Sequence, residues 1–247
     1  MGRLELLLCA GVAIGLAMGA VPACGGDASS SNETLTEFKF DAKDFSDPTK
    51  TDNKFHPLIG GTKYYFEGVK HGLPFRTETV VSNDTKTVDG VLTRVVYDKD
   101  YELNQLVEAT EDWFAQDVKG NLWYFGEYAT QYSNGQLKGH EGSWEAGVAG
   151  ARPGVVMLGD PKLGGPRYRQ EYRKGITEDT GKVVKVNDSV CVPYKCFNGN
   201  VLVIDETSPV EPGILERKWF APGVGMIKWN IEKGETEYGN LVKTEGL

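Results

Sequence analysis

Apolar positions open the chain as one block and then break into short alternating runs. Residues 6–20 are almost wholly apolar, a run too short to cross a bilayer as an anchor, and they read as a signal-peptide core behind Arg3. After residue 53 the pattern changes. Short runs rich in Val, Tyr, Trp, Phe and Thr are punctuated by turn residues roughly every ten positions, the spacing of an antiparallel β-protein. Helical periodicity is scarce. Strands are predicted over 62–67 and 76–81, and Asp89-Gly90 predicts a two-residue hairpin turn. Residues 106–117 are ambiguous, since Leu106, Ala109 and Trp113 could share a helix face. The turn Lys119-Gly120-Asn121 and the strand-like 122–125 favour a hairpin in which 113–116 pair with 122–125. Ser133-Asn134-Gly135-Gln136 marks another turn. Residues 139–165, rich in Gly and Pro, read as one long loop, the kind of segment in which binding residues concentrate. Further strands are predicted over 167–173, 182–186, 200–206, 215–220, 225–231 and 235–242. The expected fold is mainly β, a single antiparallel meander of roughly ten strands curled into a barrel or half-barrel to dispose of its edges.

The N-terminal block sets the domain plan and the compartment. Val21-Pro22-Ala23-Cys24 follows the apolar core and resembles a bacterial lipobox, which implies cleavage before Cys24 and a lipid anchor on its sulfur; ordinary cleavage after Ala23 is the alternative. The expected plan is a signal peptide over 1–23, a lipid-anchored flexible tether over 24–53 and one β-rich domain over 54–247. The tether begins with the Gly, Ser, Ala and Asn run 25–32, too polar to fold alone. The expected location is the bacterial cell envelope, membrane-anchored through Cys24 or secreted. Of the 4 cysteines, Cys191 and Cys196 fall within the body. In an oxidising compartment two such close thiols form a disulfide, here a staple adding roughly 2 kcal/mol. A zinc or copper site is the alternative, but it needs partners and the chain has only 3 His.

Charge narrows the partners. Removing the leader takes away one Arg and one Glu, so the net charge of −8 holds for the mature chain; with a pI near 5.1 it excludes a nucleic-acid surface. The catalytic motifs fail one by one. Gly175-Ile176-Thr177-Glu178-Asp179-Thr180-Gly181-Lys182-Val183 has one residue too many between its glycines for a phosphate loop, and Val where Ser or Thr must reach magnesium. His140-Glu141 lacks the second His of a metalloprotease helix, and Ser143 is not on a nucleophile elbow. No catalytic residue, cofactor or metal site is assigned. What remains is aromatics interleaved with acids: Trp113, Tyr124, Glu127, His140, Glu141, Trp144, Glu145 and Glu171 are the candidate ligand-binding residues. Ring faces stack on apolar faces of a ligand while carboxylates accept its hydrogen bonds. The same aromatics equally suit a strand core, and alternation puts Tyr124 on the opposite face from Trp123 and Phe125.

Several blocks carry a resemblance. Residues 113–117 (Trp113 to Asp117), 120–127 (Gly120 to Glu127), 141–148 (Glu141 to Val148) and 220–225 (Phe220 to Gly225) are similar to the signature blocks of a family of bacterial secreted proteins and lipoproteins with no assigned activity. Members usually show Gly-Ser or similar where this chain has Lys195-Cys196, so the resemblance implies that the disulfide is a local addition. The last block is also similar to the ends of envelope β-proteins with lipocalin-like half-barrels, an analogy of fold alone. The expected function is non-enzymatic: an envelope lipoprotein that takes a small or amphipathic ligand, for instance a glycan, in the barrel mouth. Two alternatives remain. One is an acid-pair hydrolase or isomerase with His140 or Glu141 as base and Glu127 or Glu171 as acid. The other is a structural envelope component without ligand.

Overall fold

The computed structural model describes residues 34–247; the leader, Cys24 and the start of the tether lie outside the described residues. The described chain is mainly β, and its one helical element is the 3-10 turn Ala42–Asp44. Sixteen strands form one mostly antiparallel sheet. They are β1 Leu35–Thr36, β2 Lys63–Lys70, β3 Leu73–Val88, β4 Val91–Glu102, β5 Gln105–Gln116, β6 Leu122–Ser133, β7 Gln136–Gly139, β8 Trp144–Glu145, β9 Arg152–Met157, β10 Arg167–Arg169, β11 Glu171–Tyr172, β12 Thr180–Cys191, β13 Cys196–Thr207, β14 Leu215–Ala221, β15 Gly225–Lys233 and β16 Tyr238–Glu245.

Two runs of consecutive hairpins, β2 to β6 and β12 to β16, join where β16 pairs with β2. The path begins with β1 on β10 and ends with β11 on β9, and its ladder does not close on itself. β10 and β11 are separated by Gln170 alone, so one short stretch of chain serves both ends of the path. Glycines permit that arrangement. A side chain on Gly154 would meet the Gln170 carbonyl at 2.4 Å, and one on Gly181 would meet the Gln170 amide at 2.8 Å.

Local chemistry explains the hairpins. Asp89 and Gly90 both have positive φ, 46° and 80°, the geometry of a two-residue turn whose twist matches its strands. Asn134-Gly135 does the same between β6 and β7. Leu103-Asn104 makes an equivalent turn with a leucine at φ 48°, which no composition rule would flag. Cys191 and Cys196 face each other as register partners at the end of the β12–β13 hairpin and form a disulfide.

Three expectations are corrected. The whole of 105–116 is one strand, β5, rather than a strand over 113–116 alone. The long loop expected over 139–165 contains β8 and β9: Gly147 and Gly150, at φ 82° and 79°, turn the chain, after which Pro153, Val155 and Met157 are buried on β9. Glycine and proline had masked a buried strand. The tether expected to run to residue 53 is packed over its described part. Phe40 and Phe45 lie 5.6 Å from the Phe125 ring and 6.1 and 5.8 Å from Trp123, because burying two phenylalanines outweighs the polar composition around them.

Candidate functional site

Cross-strand register places a set of polar side chains on one face of β3 to β6. Asp98 pairs with Thr79 and Thr110, Asp100 with Thr77 and Glu108, Asp112 with Val96 and Glu127, and Phe114 with Tyr124. Directly paired residues share a face, so these form adjacent rows. Hydroxyls serve the acids. Thr77 donates to Asp100 at 2.7 Å, Thr110 to Asp112 at 2.6 Å, Tyr124 to the other Asp112 oxygen at 2.5 Å, and Thr79 to Asp98. All five carboxylates of these rows, Asp98, Asp100, Glu108, Asp112 and Glu127, are buried.

A second group faces this one across a cavity of about 100 Å³. Its members come from β11, β13, β14 and the segment before β12: Glu171, Asp179, Glu206 and Lys218, with Gln170 between β10 and β11. Lys218 Nζ donates to Glu206 at 2.5 Å and lies 3.2 Å from Glu216. Gln170 donates its amide N–H to the other Glu206 oxygen at 2.8 Å. Three buried oxygens of the lining, Gln170 Oε1, Glu171 Oε2 and Asp179 Oδ1, have no hydrogen bond of ordinary geometry among the described residues, although Thr177 and Asp179 stand beside Glu171. The apolar part of the lining includes Phe66, Phe220 and the stacked pair Phe114 and Tyr124, whose rings are 4.7 Å apart at 16°.

Burial dominates the electrostatics. It raises Asp112 to about 6 against the opposing hydroxyl bonds from Thr110 and Tyr124. Asp98 is held well above the usual carboxylate range by burial and then by the charge of Asp112; Glu127 is raised by burial, Asp112 and Glu171. Across the cavity, burial and the neighbouring Asp179 raise Glu171, while burial brings Asp179 to about 6 and Glu216 to about 7. Burial works against the charge on Lys218, yet Glu206 and Glu216 outweigh it and its pKa rises. His56 is pushed down to about 4 by burial and so is neutral at pH 7. The cavity thus holds several carboxyls able to exchange protons near neutrality, with one ammonium already engaged. Among the described residues no group of three or more His, Cys, Asp or Glu is arranged to hold a metal ion.

The eight residues singled out in the sequence divide three ways. Tyr124 and Glu171 line the cavity. Glu127 and Trp144 are buried directly behind it: Trp144 is the register partner of Glu127 and stands edge-on to Tyr124 at 5.3 Å. The remaining four lie elsewhere. Trp113 is buried on the opposite face, with Lys86 Nζ 3.2 Å from its ring centre, and Lys86 also pairs with Glu145 at 2.7 Å. His140 stacks on the exposed ring of Tyr128 at 4.6 Å, and Glu141 is on the exposed stretch beside it. Sequence reading missed Asp98, Asp112, Phe114, Gln170, Asp179, Glu206 and Lys218. A signal was present: Glu108, Thr110, Asp112 and Phe114 alternate along one strand, but the opposite face carries Ala109, Trp113 and Ala115, so alternation alone does not say which face is enclosed.

No family model matches the chain, and neither a curated protein nor a solved structure matches it.

Proposed function

We propose that the sheet curls around this cavity as a half-barrel and that the protein is a non-enzymatic binder of a small, partly apolar ligand. The observation that carries the reading is convergence. Side chains from β2 to β6 and from β9, β11, β13, β14 and β15 line one cavity, and buried acceptors there lack donors. Buried polar atoms are rarely left unpaired unless something else completes them. With the N-terminal leader and Cys24, the reading is of an envelope binder held to a membrane by a lipid. Replacing Cys24 with Ser should then release it from the membrane fraction, and unchanged membrane association would sink that part.

The binding itself is tested by filling the cavity. Val96 lies on its wall, fully surrounded. A small-molecule library screened by thermal shift should yield compounds that stabilise the wild type and lose most of their effect on Val96→Phe. Equal shifts in both proteins, or no stabilising compound at all, would count against a ligand in this cavity and favour a structural component. One observation supports a second reading. Glu171 and Asp179 are neighbouring carboxyls with Asp179 the more readily ionised, the division of protonation states that acid–base enzymes use. Chemical change of a bound compound, abolished in Glu171→Gln, would favour that reading.

A further inference from the structure

Which chemical class the cavity accepts follows from what its polar groups still lack, and the inference rests on the binding reading above. Carboxyls come from both sides, Asp98 and Asp112 from one and Glu171 and Asp179 from the other. On the first side their partners are hydroxyls, and no ion pair to Asp98 or Asp112 is formed within the described residues. Lys218 is the only lysine in the lining, and Glu206 and Glu216 already hold it. His56 brings no charge at neutral pH.

The orphaned oxygen of Gln170 carries the argument. Oε1 can only accept, so its missing partner is a donor, and Glu171 and Asp179 beside it, which have Thr177 and each other as neighbours, add further acceptor oxygens to the same cavity. The amide orientation of Gln170 is fixed independently, because turning it over would set its oxygen against Glu206 in place of the N–H that now donates there. The same cavity is lined by the rings of Phe114 and Tyr124, stacked on one another, together with Phe66 and Phe220. Aromatic faces attract cations and cover apolar skeletons. A neutral polyol would donate too, but its own oxygens would need donors, and the ammonium of Lys218 is engaged.

We propose that the cavity binds an organic cation, a protonated amine carried on an apolar skeleton, with its ammonium directed to Glu171 and Gln170 and its body against Phe114 and Tyr124. An ammonium placed beside Glu171 favours its ionised form, so that the guest supplies the countercharge burial denies this carboxyl and the carboxyl proton passes to solvent.

Three probes of similar shape separate the charge of the guest from its size: phenethylamine, phenethyl alcohol and phenylacetate, each titrated calorimetrically into the mature protein at neutral pH. The amine should bind at least about tenfold more tightly than the alcohol, the scale of one charge-assisted hydrogen bond, and phenylacetate should give no measurable binding. Glu171→Gln should weaken the amine by about tenfold and leave the alcohol nearly unchanged. If the alcohol or the acid binds as tightly as the amine, the cavity is a binding site of another class and the cation inference falls alone. If none of the three binds, both the cation inference and this cavity as their receptor are overturned. Should Glu171→Gln fail to fold, the ranking of the three probes on the wild type decides by itself.

Discussion

The two walls of the cavity keep buried carboxyls by different means. On β4 and β5 the acids are met by hydroxyls, Thr79 on Asp98 and Thr110 and Tyr124 on Asp112. On β13 and β14 two glutamates share the ammonium of Lys218. A threonine hydroxyl can donate to a carboxylate or turn and accept from a carboxylic acid, so the first wall changes protonation without losing its bonds. An ammonium only donates. The Lys218 cluster on the second wall is therefore pinned to the ionised state of at least one glutamate, and it behaves as structure where the hydroxyl-served acids behave as a proton reservoir.

The largest expected effect is on the pinned wall. Lys218→Met would leave Glu206 and Glu216 buried without their cation, and breaking such a pair costs about 3–5 kcal/mol. Urea unfolding at neutral pH measures it; a loss below about 1 kcal/mol would mean that water reaches the glutamates and the walls do not differ. The deficit should shrink toward acid pH, where Glu216, raised to about 7, takes up its proton. Next in size is Trp144→Ala, directly behind the hydroxyl wall. Trp144 is 3% exposed, so removing it should cost about 3 kcal/mol with or without ligand. A silent change in stability with weakened binding would instead make Trp144 a lid over the cavity.

The smallest effect concerns protons. Asp112, Asp179, Glu216 and Glu237 have folded values raised to about 6, 6, 7 and 7, so their contribution to stability is fully present below their ordinary values of 3.8 to 4.5 and is lost as pH rises through 6 to 7. His56 acts oppositely: its folded value is lowered from 6.5 to about 4, and its contribution is lost as pH falls across that window. The acids outnumber it, so stability of the unliganded protein should decline from pH 5 to pH 8. Asp112→Asn should flatten that decline by roughly 1 kcal/mol, measured by urea unfolding at both pH values. An unchanged slope would show that Asp112 does not titrate as part of the reservoir.

Much of the fold was legible because hairpins announce themselves. Asp89-Gly90 and Asn134-Gly135 are turns by composition, and the structure bends there with both residues at positive φ. Leu103-Asn104 bends the same way without announcing it. β9 was hidden for a related reason: Pro153 and Gly154 read as loop, although Gly154 is needed for the close approach of Gln170 and Pro153 still pairs with Glu171 across the ladder. The site was harder still. Tyr124 and Glu171 stood out as an aromatic and an acid, but Asp98 and Asp112 look like solvated acids in an acidic chain, and only the closure of distant strands removes them from water. Lys218 could not have been found without knowing that Glu206 on β13 lies beside it.

The pairing of β16 with β2 also sets the tempo of folding. Glu245 is opposite Lys63 and Tyr238 is opposite Val69, whereas every junction within β2 to β6 joins neighbours across a short turn. Loop-closure entropy grows with the logarithm of the chain enclosed, so the hairpin runs can assemble early while this seam must wait until most of the chain is in place. Until the seam zips, β2 presents an unpaired edge and the carboxyls inside remain hydrated. Their dehydration, and with it the displacement of their proton equilibria, thus belongs to the last step of folding and not to the formation of the strands that carry them.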